Sequence, residues 1–153
     1  MKAILCKSHG PAENLSLEEI DNLAPGADEA IVEVYSAALN FPDGLQIQGK
    51  YQFQPDMPFT PGSEVGGVIT AVGAELTGFA VGDRVMATPG IGGLAEQVRV
   101  KAEGLRKIPD SMDFKSAASF AMVYITSYHA LKQRANLQPG ETLLVLGASG
   151  GVG

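Results

Sequence analysis

The sequence has one cysteine, little basic charge and no long apolar run, and each shortage excludes a class of protein. Because Cys6 stands alone, an internal disulfide and a cysteine-based zinc site are both excluded. Its place in the apolar run 3–6 favours a buried strand residue over a reactive thiol. The net charge of -6 makes nucleic acid and anionic membrane poor partners, since neither is attracted to an acidic surface. A small molecule is therefore the expected ligand.

No segment approaches the length of a membrane span, and Lys7 ends the first apolar run too early for a signal peptide. We therefore expect a cytoplasmic protein. At 153 residues and 45% hydrophobic content, the chain is long enough for one full core. Its 19 glycines and 9 prolines indicate many turns instead of long helices. A mainly β fold is the prediction.

Short segments with strand character alternate with turns rich in glycine and proline. The predicted strands are 2–7, 14–19, 29–39, 64–72, 83–87, 94–100 and 105–108. Many short strands at this spacing predict a small barrel.

The pattern becomes helical from Asp110 onward. Ser111 or Asp113 can cap a short helix that ends at Ala118. A second apolar segment covers about 121–135, and a proline and a glycine at 139–140 end it. This change predicts a domain boundary near residue 112.

The last thirteen residues, 141–153, contain an uninterrupted apolar run followed by closely spaced glycines. The run 143–146 predicts a parallel strand covered on both faces. Gly147, Gly150 and Gly153 are spaced as in a turn whose backbone approaches a pyrophosphate, although three glycines can also form a simple tight loop. The segment therefore predicts the beginning of a nucleotide-binding domain, without the helix that would complete the anion site.

Six motifs occur in a characteristic order along the whole chain. They are ALNFPD at 38–43, IQGKY at 47–51, PGSEVGG at 61–67, VGDRV at 81–85, GLAE at 93–96 and GASGGVG at 147–153. In this order they resemble the medium-chain dehydrogenase/reductase superfamily. More narrowly, they resemble its zinc-independent quinone oxidoreductase branch, the group that includes zeta-crystallin.

The resemblance implies a mainly β fold, with a GroES-like barrel followed by the first helix and strand of a Rossmann α/β domain. Residues 1–112 would be the GroES-like catalytic and substrate domain, and 113–153 the linking helices and start of an incomplete Rossmann domain. It also implies hydride transfer from NADPH to a quinone or to an enone or enoyl substrate in the interdomain cleft. The full-length protein would be a homodimer, and we expect this chain alone to be inactive.

The resemblance also bears on metal content. Zinc-dependent relatives place a cysteine near 40–43 and a histidine before the glutamate of the glycine-rich motif. Here Asn40 to Asp43 and Ser63 occupy those places. Hydroxyl and amide groups are poor zinc ligands, and the four-cysteine zinc lobe is missing as well. We expect a metal-free protein.

Without a metal, hydrogen-bond donors must stabilise the acceptor oxygen on which charge develops. Asn40 and Tyr51 are the candidates for catalysis and cofactor contact. For Tyr51, the resemblance implies a place near the nicotinamide, where the family has the matching tyrosine. Each has a simpler interpretation: Asn40 as a turn residue and Tyr51 as a ring stacked on the barrel. For Asp43, capping of the turn at 44–48 is favoured over fixing Asn40.

Five further residues complete the predicted cofactor site. Thr126 matches a family position near the cofactor phosphate and ribose, although a helix threonine often bonds only its own backbone. Ser149, Gly150, Gly151 and Val152 are the cofactor-binding residues of the glycine turn.

Two other charged or titratable side chains need an explanation. Glu64 lies in a glycine-rich strand and must find a partner, for which Arg84 is one structural option. His129 is more typical of a surface or packing residue than of a general base.

Two alternative functions remain open at this point. Residues 45–51 also look like the segment that carries the proton-donating tyrosine of enoyl-thioester reductases. The enolate of such a substrate needs a proton at carbon, whereas a reduced quinone oxygen can take one from water. The second alternative is a non-catalytic structural or nucleotide-sensing module, as some relatives became lens proteins.

Overall fold

The computed structural model describes all 153 residues and consists mainly of strands, which confirms the predicted fold class. The seven strands predicted for the barrel are all present; 64–72 has the predicted bounds, and the other six differ at one or both ends. They are β1 (Lys2–Leu5), β2 (Ser16–Glu19), β3 (Glu29–Ala38), β4 (Glu64–Val72), β5 (Arg84–Ala87), β6 (Gln97–Lys101) and β7 (Leu105–Lys107). The α-helices are α1 (Phe41–Ile47), α2 (Phe114–Ala118) and α3 (Ala121–Tyr128), and α3 continues as a π-helix over His129–Arg134. Short 3-10 turns cover Ala12–Asn14 and Ala102–Gly104.

The main sheet is antiparallel, has the strand order β6-β3-β4-β5-β7 and curls into a half-barrel. A separate hairpin of β1 and β2 joins the rest through single bridges from Ala3 to Ala95 and from Cys6 to Phe59. Strand residues of alternating position point inward, as the twofold period of a strand requires. The core consists of Ala30, Val32, Val65, Ile69, Val85, Ala87, Val98, Val100 and Leu105.

Two adjacent glycines in β4 let other elements approach the sheet closely. A Cβ atom on Gly67 would collide with the backbone carbonyl of Glu33 on β3. A Cβ atom on Gly66 would lie 2.5 Å from the carbonyl oxygen of Phe114. The paired glycines therefore allow β3 on one side and α2 on the other to contact β4 without a side chain between them.

The sheet gives way to helices around residues 109–114. The Asp113 carboxylate caps α2 by accepting from the Ser116 N–H at 2.8 Å, which identifies Asp113, not Ser111, as the cap. The Arg84 guanidinium donates to the carbonyls of Pro109 and Met112 at 3.1 and 2.6 Å. These contacts tie β5 to the start of the helices. The domain bounds 1–112 and 113–153 stay a prediction.

The predicted strand at 143–146 is wrong for this structure. These residues have no regular secondary structure, and their exposed fractions range from 47% at Val145 to 85% at Leu146. A strand needs a hydrogen-bonding neighbour, and no strand of this chain pairs with the segment. The glycine turn that follows is present: Gly147 has a φ of 74°, and its carbonyl accepts from the Gly150 N–H at 3.1 Å. None of the helices is long and apolar enough to cross a membrane.

Candidate functional site

Asn40 lies between the end of β3 and the first turn of α1. Its backbone is extended, and its N–H donates to the Asp43 carboxylate at 2.7 Å. The Asp43 N–H donates back to the Asn40 carbonyl at 3.0 Å. This reciprocal arrangement, together with Pro42 in the first turn, starts α1 directly at the end of the strand. The favoured prediction, Asp43 as the cap of a turn at 44–48, is therefore wrong: Asn40 is the N-cap of α1, and Asp43 lies in its first turn and fixes the backbone of Asn40, which was the alternative.

Glu64 is fully buried, and its two oxygens accept from different parts of the chain. Oε2 accepts from the side-chain Nδ2 of Asn40 at 3.2 Å, and Oε1 accepts from the backbone N–H of Met122 at 2.9 Å. Arg84, the option taken from the sequence, is not a partner. It pairs with Val68 across the sheet, four residues from Glu64, which is about 13 Å along a strand.

Helix α3 connects this pair to the glycine turn. The Thr126 hydroxyl donates to the carbonyl of Met122, one turn back, so it bonds its own helix as the simpler interpretation expected. The next residue, Ser127, donates through its hydroxyl to Val123 at 2.9 Å and to the Val152 carbonyl at 3.3 Å. A continuous series of contacts therefore runs from Asn40 through Glu64 and α3 to Val152. Sequence reasoning missed Ser127, whose only signal was its place beside Thr126.

The glycine turn presents backbone donors to solvent. Ser149, Gly150, Gly151 and Val152 are all exposed. Within the chain, only the Gly150 N–H of these four residues makes a hydrogen bond. The other three N–H groups, on exposed residues of one turn, have no acceptor within the chain and are the type of donor that binds phosphate oxygens. The backbone N–H donors of the turn are therefore of the kind that bind a pyrophosphate.

Tyr51 lies in the loop after α1 and is half-buried. Its hydroxyl makes no hydrogen bond within the chain, and its backbone carbonyl accepts from the Gln54 side chain. The ring is not in contact with another aromatic ring. The structure joins Asn40 to α3 but gives Tyr51 no direct contact with that series.

Exposed apolar side chains flank Asn40 in the sequence. Its two neighbours, Leu39 and Phe41, are 76% and 82% exposed, and Phe53 in the following loop is 56% exposed. Large exposed apolar side chains that lie together are typical of a surface that binds a ligand or another domain. Leu39 and Phe41 are therefore candidates for such contacts.

Several buried polar atoms near the start of β4 and on α1 have no hydrogen-bond partner in the protein. They are Asp43 Oδ1, Gln46 Oε1 and Ser63 Oγ. Buried polar atoms are normally hydrogen-bonded, so this end of the barrel has three hydrogen-bonding groups that no other group of the chain satisfies. No three His, Cys, Asp or Glu side chains come together as metal ligands would, and the absence of zinc stays a prediction.

Comparison with known sequences identifies the family to which this chain belongs. The sequence model of the alcohol dehydrogenase GroES-like domain matches residues 26–110. Quinone oxidoreductase-like protein 2 homolog from Nematostella vectensis is 41% identical, over 99% of this chain and 42% of the relative. Quinone oxidoreductase from Pongo abelii is 38% identical, over 100% of this chain and 47% of the relative. The chain thus spans less than half the length of these two relatives.

Solved structures agree with the sequence comparison. The human synaptic vesicle membrane protein VAT-1 homolog-like protein superposes with a TM-score of 0.96 at 37% identity, covering 99% of this chain and 49% of the other. The quinone oxidoreductase of Thermus thermophilus, solved also as a complex with NADPH, has a TM-score of 0.85 at 34% identity, with 99% and 47% covered. The CurK enoyl reductase has a TM-score of 0.87 at 28% identity, with 99% and 48% covered.

The family match covers more than half of the sequence, and the fold agrees with it throughout the barrel. Quinone oxidoreductases and quinone oxidoreductase-like proteins are among the related sequences and structures. This chain belongs to the alcohol dehydrogenase GroES-like domain family of the medium-chain dehydrogenase/reductase superfamily.

Proposed function

We propose that this chain is the barrel portion of an NADPH-dependent oxidoreductase that transfers hydride to a quinone or another activated olefin. The observation that carries the proposal is the similarity to quinone oxidoreductases, one of them solved with NADPH, over 99% of the chain. In the proposed protein, Asn40 and Tyr51 are the catalytic residues. The chain alone would be inactive, because it has only the first part of the nucleotide-binding domain.

The proposed role of Asn40 follows from its donors. Hydride addition to a quinone leaves negative charge on a ring oxygen, which hydrogen-bond donors can stabilise. The Asn40 amide nitrogen carries two N–H groups, and Glu64 accepts from this nitrogen. The second N–H can donate to the acceptor oxygen. The exposed Leu39 and Phe41 beside it suit a flat, apolar acceptor.

Cofactor contacts are proposed for Asn40, Tyr51 and Thr126 and for the glycine-turn residues Ser149, Gly150, Gly151 and Val152. When bound, NADPH supplies the hydride, and the turn residues hold its pyrophosphate with backbone N–H groups. Thr126 lies one helical turn from the Glu64 contact, about 6 Å along α3. The residues that select NADPH over NADH belong to the second Rossmann strand, which this chain does not contain.

An enoyl-thioester reductase is the second candidate. It is favoured by the unbonded hydroxyl of Tyr51, which is suited to donate a proton, and by the similarity to the CurK enoyl reductase. A non-catalytic structural or nucleotide-sensing role is the third. It is favoured by the close superposition on the VAT-1 homolog-like protein, whose name describes a synaptic vesicle membrane protein.

The test is NADPH oxidation by the full-length protein with a quinone and with crotonyl thioester as acceptors. Quinone reduction that is slowed but not abolished in Tyr51→Phe supports the quinone reductase, because a reduced quinone oxygen can still take its proton from water. Turnover of the thioester alone, lost in Tyr51→Phe, would support the enoyl reductase instead. No oxidation with any acceptor would favour the non-catalytic module. A homodimer, a cytoplasmic location and the absence of nucleic acid or membrane partners are further parts of the proposal.

A further inference from the structure

A single buried carboxylate holds two donors that come from distant parts of the sequence. Glu64 at the start of β4 has no exposed surface. It accepts from the Asn40 side chain at 3.2 Å and from the Met122 backbone at 2.9 Å. Burial of a carboxylate is costly unless its oxygens are hydrogen-bonded, so both contacts are required for the acid to remain there. Glu64 therefore fixes the position of each donor relative to the other.

The carboxylate also decides which end of the Asn40 amide faces it. Oε2 accepts from the Nδ2 of Asn40, so Asn40 presents its NH2 group to the acid and turns Oδ1 away. We propose that Glu64 is a positioning residue that sets the orientation of the Asn40 carboxamide and fixes it relative to α3. The functional consequence rests on the proposed function, in which Asn40 donates its second N–H to the acceptor.

The contact with α3 prevents Glu64 from adapting to a change at Asn40. The first N–H groups of a helix have no partner within it, and a negative group is favoured there. The Met122 N–H belongs to the backbone and can only donate, so Oε1 of Glu64 must remain an acceptor. If residue 64 had only one acceptor oxygen, that oxygen would stay with Met122. The group facing Asn40 would then change from acceptor to donor.

Glu64→Gln makes this change at nearly constant volume. The glutamine oxygen would bond Met122, and its NH2 group would face the NH2 group of Asn40. Asn40 would have to turn its amide over, so that Oδ1 faces residue 64. The substitution is therefore expected to invert the amide while the barrel stays folded.

The first measurement is the side-chain NH2 signal of Asn40 in the 15N-labelled chain, assigned by its disappearance in Asn40→Asp. In Glu64→Gln this signal should move further than any other asparagine side-chain signal. Glu29→Gln is the matched control, because Glu29 also accepts from a backbone N–H, that of Gly26 at 2.9 Å, but lies away from Asn40. An Asn40 signal that stays in place in Glu64→Gln, or moves equally in Glu29→Gln, would overturn the proposal.

The second measurement is rescue. Asn40→Asp places two carboxylates against each other but keeps a residue type that is equally good at starting α1. It should lower the urea midpoint of unfolding. Adding Glu64→Gln to this variant supplies an NH2 group to the new carboxylate and should recover at least about half of the lost midpoint. Purely additive losses in the double variant would contradict the proposed pairing.

The third measurement separates this proposal from the proposed function. In the full-length protein, Glu64→Gln should lower kcat about tenfold or more, because the donor geometry at the acceptor is altered. KM for NADPH should change by a smaller factor, because Asn40 is one of several proposed cofactor contacts. If the amide inverts and wild type reduces no acceptor, the positioning role stands and the proposed function fails. If wild type is active and the amide does not move, the positioning role fails.

Discussion

The barrel and the residues from 121 onward are both rich in apolar side chains, but only the barrel buries them. Ile69 in β4 has no exposed surface, whereas Leu144 is 79% exposed. The same contrast holds within α3, where Ala121 is buried and Tyr124, Ile125 and Tyr128 are each at least 56% exposed. The antiparallel strands of the barrel find their partners within this chain, while the segment 143–146 does not.

This difference shows that an apolar run predicts an element only where its partner is present. Every barrel strand has its partner within this chain, whether consecutive, such as β3 with β4, or distant, such as β3 with β6. A parallel strand instead needs neighbours supplied by crossover connections, and it is buried on both faces only when these are complete. In α3, the first turn is held by Glu64, and the rest of the helix lacks a packing partner among the strands.

The most direct test of the contrast compares Ile69→Ala with Leu144→Ala. Truncation of the buried Ile69 should lower the free energy of unfolding by about 2–5 kcal/mol, because it removes apolar contacts and leaves a cavity. Truncation of the exposed Leu144 should change it by less than about 0.5 kcal/mol. Urea unfolding of both variants measures the two values. A comparable loss in Leu144→Ala would mean that 143–146 is packed in solution.

The second prediction concerns cofactor affinity. A Rossmann site binds through the glycine turn, the following helix N-terminus and a residue on the next strand, and this chain has only the turn. Calorimetric titration should therefore show binding of NADPH at least about 100-fold weaker than by an intact site, a difference of about 2.7 kcal/mol. The full-length protein is the control. Binding in the low micromolar range by the 153-residue chain would show that the binding energy lies elsewhere.

The third prediction concerns the residues where the barrel meets the helices. In the full-length protein, Asn40→Ala and Tyr51→Phe should each lower turnover or NADPH affinity about tenfold or more, while the fold stays intact. Steady-state kinetics and circular dichroism together provide the test. Phe53→Leu is a suitable control, since it keeps an exposed apolar side chain in the same loop. Wild-type kinetics in both test variants would show that Asn40 and Tyr51 are not part of the active site.

A smaller effect is expected from pH. The Lys107 ammonium at 2.8 Å, and then the Ala80 N–H, hold the pKa of Asp83 below its usual value. A lowered carboxyl pKa contributes stability above the unfolded pKa of about 4, and this contribution is lost as pH falls through the folded value. Asp83→Asn should therefore flatten the decrease in the unfolding midpoint below about pH 4. Asp56→Asn is the comparison, and an equal flattening there would contradict the assignment.

The smallest expected effect is that of metal removal. Because Asn40 and Ser63 stand where zinc ligands would be needed, chelators should leave the unfolding midpoint and any full-length activity unchanged. Elemental analysis and a thermal melt with and without chelator measure this. Stoichiometric zinc that is lost together with stability or activity would refute it.

The sequence by itself determined the mainly β fold and the approximate positions of the seven barrel strands. These features depend on alternation, turn residues and contacts within a few positions, which are all local. The ordered motifs also determined the family, because so many spaced groups rarely coincide.

Only the tertiary structure decided which distant residues meet. Glu64 required a partner, but nothing local distinguished Arg84 on the adjacent strand from Asn40 and Met122, which lie 24 and 58 positions away. The antiparallel register places Arg84 opposite Val68, beyond reach of Glu64, and brings the end of β3 and the start of α3 to the acid instead. Whether 143–146 forms a strand likewise depends on the tertiary structure, because a strand is stabilised by hydrogen bonds to a neighbouring strand.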